Sequence, residues 1–309
     1  MLGLQPAALD AAPTTAYLML GERCVADCAF CAQARSSQAQ ADQLSRVAWP
    51  PYDADLVAQA IADAYARGQI LRACFQVTQG PESQAVAQQA VAALSEAAAL
   101  PICVSIAAHS IEEIGALLAA GAQRVTIALD AATPQVYAEA KGGSWEHTWG
   151  LLRAGAGRFP GRIGTHLIAG LGETEEELLY TAQALHRLGI TIGLFALTPV
   201  RGARLAGAQP PPLASYRRIQ AGLWLLREGL TVIEEWRFVG GRLVDYGATR
   251  EALAAWLAGG DAFRTAGCTD CNRPYYNERP SGPLYNYPRA LTPAEAGAEI
   301  AALLATLAL

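Results

Sequence analysis

The sequence predicts an α/β protein, a partial TIM-type (β/α)6 barrel with a C-terminal extension. Two observations carry this reading. From residue 16 to about 204, short apolar runs alternate with longer Ala- and Leu-rich segments of helical period, the pattern of successive strand-helix units around a parallel sheet. After Gln209 the triplet Pro210-Pro211-Pro212 breaks the alternation, and the pattern beyond it is different. The expected division is therefore a barrel over 1–209 and an extension over 210–309.

Taken in order, the strand candidates are 16–20, 71–77, 102–106, 124–129, 164–168 and 191–197. Between them, 53–66, 82–98, 111–119 and 175–188 each combine an apolar stripe with a polar remainder, as a helix lying on a sheet requires. Ser110 and Glu113 have capping-box spacing, and Thr174 precedes three glutamates suited to the positive end of a helix dipole. Beyond the prolines a helix is expected to about Arg227. A hairpin follows, 230–239 against 242–246 around Gly240-Gly241, then a short helix over 250–257 and a last amphipathic helix over 293–307.

The chain of 309 residues is 52% hydrophobic and 17% charged with a net charge of -5, a balance that buries a full core and carries no basic excess for nucleic acid. Residues 1–13 lack the basic start and apolar run of a secretory signal, so a cytoplasmic location is expected. The apolar stretch 91–108 is interrupted by Ser95, Glu96, Pro101 and Ser105, so no membrane span is expected. Seven cysteines, clustered rather than spread, favour metal or redox chemistry over a disulfide scaffold.

The decisive stretch runs Gly21-Glu-Arg-Cys24-Val-Ala-Asp-Cys28-Ala-Phe30-Cys31-Ala-Gln, in a loop after the first strand. Three thiolates at spacings of four and three on a short loop can cap three corners of one cuboidal iron-sulfur cluster. The fourth iron is then left open to bind and polarise an outside molecule. The competing reading is zinc, with Cys28 and Cys31 joined by Cys268 and Cys271 in a four-thiolate structural site. That site strands Cys24 and needs knuckles separated by nearly the whole chain.

This spacing, with an aromatic residue directly before the third cysteine, resembles the signature of radical S-adenosylmethionine (SAM) enzymes. The resemblance implies that Cys24, Cys28 and Cys31 hold a 4Fe-4S cluster and that SAM chelates its open iron. Electron transfer from a reductant protein would then yield a 5'-deoxyadenosyl radical that removes hydrogen from an unactivated carbon. It further implies that Phe30, Asp130, Ile168, Gly170, Glu173 and Leu197 contact the nucleotide or lie beside it. The run His166-Leu-Ile168-Ala-Gly170-Leu-Gly-Glu173 resembles the family's adenine-side segment, and Asp130 stands where biotin synthase puts a polar residue near ribose or substrate. Read without the resemblance, the first is an ordinary strand-to-helix turn and the second a helix-capping aspartate. One departure stands out: where the family has two glycines and an acid after the second strand, this chain has Gln79-Gly80-Pro81-Glu82.

A second set, Cys268 and Cys271, opens the run Cys-Thr-Asp-Cys-Asn-Arg-Pro-Tyr-Tyr-Asn-Glu-Arg-Pro. Alone, such a pair is a redox dithiol or half a zinc site. Cys74 and Cys103, on the second and third strand candidates, are at positions where biotin synthase holds a sulfur-donating cluster, and each is equally a small buried hydrophobe. Gly164 stands where biotin synthase has a further cysteine. Single-chain bacterial lipoyl synthase carries an extra cysteine run before the radical motif, and residues 1–23 have none. From Tyr17 to Arg289 the chain resembles the biotin-synthase-like member of the split, two-protein lipoyl synthase. That resemblance implies a second 4Fe-4S cluster on Cys74, Cys268 and Cys271. Its fourth ligand is left open between Cys103, Ser281, an arginine and an external sulfide. It implies sulfur insertion into an octanoyl-lysine carrier protein or peptide, with a second radical SAM enzyme as partner. The alternatives are sulfur insertion into a free small molecule, as in biotin synthesis, and a non-enzymatic zinc or iron-sulfur protein. Tyr275, Tyr276, Tyr285 and Tyr287 either line an acyl channel or fasten the tail.

Overall fold

The computed structural model describes residues 11–45, 47–278 and 282–308. In chain order the elements are β1 (Thr15–Leu20), β2 (Gln43–Leu44), β3 (Val47–Ala48), α1 (Ala54–Ala66), β4 (Arg72–Val77), α2 (Ser83–Ala97), β5 (Ile102–Ser105), α3 (Ile111–Ala119) and β6 (Arg124–Thr126). There follow α4 (Pro134–Ala140), α5 (Trp145–Arg158), β7 (Ile163–Ala169), α6 (Glu175–Arg187), β8 (Thr191–Ala196) and α7 (Leu213–Glu228). The tail adds β9 (Arg237–Val239), β10 (Arg242–Asp245), α8 (Arg250–Leu257) and α9 (Pro293–Leu304).

Six strands pair in parallel in the order β1-β4-β5-β6-β7-β8, the curled half-barrel that the alternation predicts. Sequential neighbours with a helix between each pair can pack back onto the sheet with one handedness, which fixes this simple order. β1 and β8 do not pair, so the barrel stays open on one side. The six expected strands agree with the observed ones to within a few residues.

Four elements, β2, β3, α4 and α5, escaped the sequence. The β2-β3 hairpin is a ladder of only two residue pairs, too short for any alternation to register. α4 is seven residues long and opens on Pro134. α5 contains Gly150, Gly155 and Gly157, poor helix formers that mask its period. Gly155 has a packing reason: a Cβ there would come within 3.3 Å of Ile163 Cδ1, so the missing side chain lets α5 lie close on β7.

The caps largely match. Thr174 and Glu177 close a full capping box on α6. At α3, Ser110 accepts from Glu113 N, but the Glu113 carboxylate reaches His109 N rather than the cap residue itself. The hairpin turn has Gly240 and Gly241 at φ 58 and 78, the left-handed pair a tight turn of this type requires.

One hydrophobic cluster runs from the barrel helices into the tail, from Ile61, Val91 and Leu152 to Tyr216, Phe263 and Leu303. A buried ion pair joins the two parts. Arg218 on α7 holds Glu175 through both carboxylate oxygens, at 2.5 and 2.9 Å, and Glu175 also accepts from Leu243 N of β10 at 3.0 Å. No described helix is long and apolar enough to cross a membrane.

Candidate functional site

The first cysteine set is carried by the loop that leaves β1, and side-chain bonds to its backbone carbonyls help hold it. Arg23 donates to the carbonyls of Ala32, Ala34 and Ser37 through Nη1 and to Ala39 at 2.6 Å through Nη2. Gln33 Nε2 gathers Ala41 and Gln43 carbonyls at 2.7 and 2.6 Å. One guanidinium and one amide thus curl the chain around Cys24, Cys28 and Cys31, all half-buried. Gln79 N donates to Cys24 Sγ at 3.3 Å and Gln33 N to Cys31 Sγ at 3.4 Å; at Cys31 that donor favours thiolate over thiol. Burial pushes the Cys28 thiol up to about 12 and the Cys31 thiol up to about 11. Among the described residues no three His, Cys, Asp or Glu side chains are set to hold one metal ion, so the four-thiolate zinc alternative is not assembled. A soft, three-thiolate loop with N–H donors at sulfur fits a cuboidal cluster, whose ligands each serve a different iron.

A chamber of about 230 Å³ lies inside the half-barrel. Phe30, Cys31, Asp130, Ile168 and Leu197 line it. Asp130 sits at φ 64, a left-handed conformation costly for a residue with a side chain. Its carboxylate pairs with Lys141 Nζ at 2.8 Å. It does not cap a helix, because Thr133 caps α4. Burial alone would lower the Lys141 ammonium, but Asp130, together with Tyr137 and Cys28, holds it above its ordinary range. Burial pushes His166, packed edge-on against Phe195, down to about 4, so its ring is neutral.

Gly170 and Glu173 shape the turn after β7 and are not among the chamber-lining residues. Both Glu173 oxygens accept from backbone, Gly170 N at 2.7 Å and Leu171 N at 3.0 Å. A Cβ on Gly170, at φ 101, would meet Pro211 at 3.1 Å. In the stretch that departs from the family pattern, Gln79 O accepts from Val25 N at 2.8 Å, so it helps hold the cysteine loop, while Glu82 is exposed.

Deeper along the strands, Cys74 and Cys103 face each other in register on β4 and β5. The tail brings Cys268 and Cys271 to them. Cys103 Sγ lies 3.3 Å from Cys268 Sγ, Tyr17 Oη lies 3.1 Å from Cys271 Sγ, and Gln76 Nε2 donates to Cys74 Sγ at 3.0 Å. All four cysteines line the same chamber as Cys31. The bond from Cys103, with Arg124 and Arg72 beside it, holds Cys268 down to about 5, while burial pushes Cys74 up. Of the open choices for a further ligand, Cys103 and the arginines Arg72 and Arg124 are beside Cys268, while Ser281 lies outside the described residues. At Gly164 a Cβ would come within 2.8 Å of Thr126 Oγ1 and 3.3 Å of Arg124 Cδ, so no cysteine fits there without rearrangement.

The polar residues after Cys271 are staples. Asn272 binds Thr14 N and Ala12 O; Asn277 binds Ala196 O and Thr198 Oγ1; Glu278 takes Asn286 N at 2.8 Å and its Nδ2 at 3.0 Å. Arg273 stacks 3.9 Å from the Phe195 ring and donates to Ala266 O. Tyr276 lines the chamber. Tyr285 and Tyr287 instead fasten the tail, through Pro211 O and Glu299.

Residues 18–185, more than half of the chain, match the family model of the radical SAM superfamily. The chain belongs to the radical SAM superfamily. Solved structures agree on the fold. The FeFe-hydrogenase maturase HydG from Carboxydothermus hydrogenoformans superposes with a TM-score of 0.54 at 17% identity, over 70% of this chain and 51% of that one. Methylornithine synthase, PylB, gives 0.56 at 14%, over 69% and 62%. This radical SAM chain therefore spans about half to three-fifths of the length of these structures. Comparison with curated protein sequences finds no match. Membership implies a 4Fe-4S cluster and SAM, and the Cys24, Cys28 and Cys31 loop is of a kind that fits such a cluster.

Proposed function

We propose that this radical SAM enzyme inserts sulfur into an unactivated C–H of an octanoyl-lysine carrier, as one half of a two-protein lipoyl synthase. The observation that carries the reading is that one chamber is lined both by Cys31 of the radical motif and by Cys74, Cys103, Cys268 and Cys271. When bound, the first cluster and SAM supply a 5'-deoxyadenosyl radical that takes hydrogen from carbon.

The chain's own residues then have separate tasks. Cys24, Cys28 and Cys31 hold the first cluster, and Asp130, fixed by Lys141, offers an oriented carboxylate toward the ribose or substrate side. Cys74, Cys268 and Cys271, with Cys103 beside them, hold a second cluster as sulfur source. Fixing the sulfur opposite the radical turns a bimolecular encounter into a positioned one. Phe195, Tyr276 and Trp49 give the chamber an aromatic wall that suits an alkyl chain and excludes water. Partners on this reading are the octanoylated carrier, a second radical SAM enzyme and a reductant protein, in the cytoplasm.

The test is to incubate the reduced holoenzyme with SAM and an octanoyl-lysine peptide, with and without a candidate partner enzyme. Thiolated peptide together with 5'-deoxyadenosine is expected. If 5'-deoxyadenosine forms in both incubations and no thiolated peptide appears, the lipoyl reading fails. Sulfur insertion into a free small molecule is the second reading, favoured by Cys74 and Cys103 standing in register as adjacent strand partners.

A further inference from the structure

Arg72 is 3% exposed, on β4, two residues before Cys74. A guanidinium taken out of water needs an anion beside it, because an uncompensated buried charge costs several kcal/mol. Among the described residues no carboxylate lies within ion-pair reach of Arg72 or of Arg124. The other buried arginines differ: Arg217 has Glu299 and Arg218 has Glu175.

What surrounds Arg72 is sulfur and amide oxygen. Its Nη2 donates to Cys103 Sγ at 3.0 Å and to Gln123 Oε1 at 2.9 Å, and its Nη1 to the carbonyl of Thr269, inside the Cys268–Cys271 loop. Arg124 faces Cys103 across the β5-β6 register and lies against the bare Cα of Gly164. The Nε atoms of both arginines are buried and without a partner. Two cations with spare donors thus stand beside a group of sulfur side chains, with no carboxylate between them.

We propose that Arg72 is the positioning residue of the second cysteine set. It fastens the Cys268–Cys271 loop across the barrel floor and, with Arg124, supplies the countercharge for sulfur anions gathered there. This role rests on the reading that Cys74, Cys103, Cys268 and Cys271 hold a cluster. A fixed positive charge beside such a cluster favours its reduced, more negative form and so raises its midpoint potential.

The test uses the anaerobic holoenzyme, with both clusters titrated potentiometrically and followed by electron paramagnetic resonance. Arg72→Gln removes the charge and keeps a donor; Arg72→Lys keeps the charge but cannot reach Cys103, Gln123 and Thr269 together. Arg72→Gln is expected to lower the midpoint of the second cluster and leave that of the first unchanged. Arg72→Lys is expected to keep the midpoint while the second cluster loses iron to 2,2'-bipyridyl several-fold faster than wild type. Selective loss of the second cluster in Arg72→Gln, from about eight irons to about four, also supports the role. Unchanged midpoints, equal shifts in both clusters, or equal loss of both overturn it. A wild-type chain with only about four irons removes the second cluster itself, a failure that the iron count alone tells apart from a failure of Arg72.

Discussion

Cys103 Sγ on β5 lies 3.3 Å from Cys268 Sγ, although the two residues are 165 positions apart in the chain. That approach ties the tail to the barrel interior and sets a second group of cysteines in the chamber that Cys31 also lines. The two groups are distinct in element and in depth, so their losses are separable.

On the proposed assignment Cys28→Ala removes one corner ligand of the first cluster and is expected to abolish SAM cleavage. Cys271→Ala is expected to keep 5'-deoxyadenosine formation and lose sulfur transfer. Product analysis of the two variants side by side checks this, and equal loss of both activities in Cys271→Ala contradicts separate roles.

Gly202 sits at φ 89 where a Cβ would fall 2.5 Å from Ala39 N and 2.7 Å from Gln38 C, and its carbonyl accepts from Gln38 N at 2.9 Å. The clash is with backbone, which cannot rotate away. Gly202→Ala is expected to displace the far side of the cysteine loop and cut first-cluster iron, while far-ultraviolet circular dichroism stays near wild type.

Glu175 is buried and accepts from Arg218, Ser215 and Leu243 N. Arg218→Met leaves that carboxylate without its cation, a loss of about 3–5 kcal/mol by comparison with other broken buried pairs. Urea denaturation measures it, and a loss under about 1 kcal/mol, the worth of an exposed pair, contradicts the assignment.

His166 is neutral in the folded chain because burial pushes it down to about 4, against an ordinary value of 6.5. Between those values the unfolded chain binds the extra proton. Stability is therefore unaffected by this group above pH 6.5 and falls as pH drops toward 4, by on the order of 3 kcal/mol in all. His166→Gln is expected to flatten that part of the profile when denaturation midpoints at neutral and mildly acidic pH are compared.

Much of this was legible from residue order. The alternation gave six strands in sequential order, because a parallel strand buried on both faces reads as a short apolar run and its covering helix as a longer periodic one. The first cysteine loop was equally legible, since its three ligands lie within eight residues and need no distant partner. The β2-β3 hairpin and α5 were not, the one for its length and the other for its glycines. Arg72 and Arg124 carried no signal either: an arginine at a strand start reads as surface until its neighbours are known.

By itself, then, the sequence determined the α/β class, the strand order and the local chemistry of Cys24, Cys28 and Cys31, all set by short-range pattern. Only the tertiary structure decided that Cys103 stands beside Cys268, that Glu173 serves a turn while Asp130 faces the chamber, and that Arg72 has sulfur for company. The first and last of these depend on how the tail crosses the barrel strands, and side-chain contacts across such separations leave no trace in local periodicity. The roles of Glu173 and Asp130 depend on where each side chain turns, which residue order does not record.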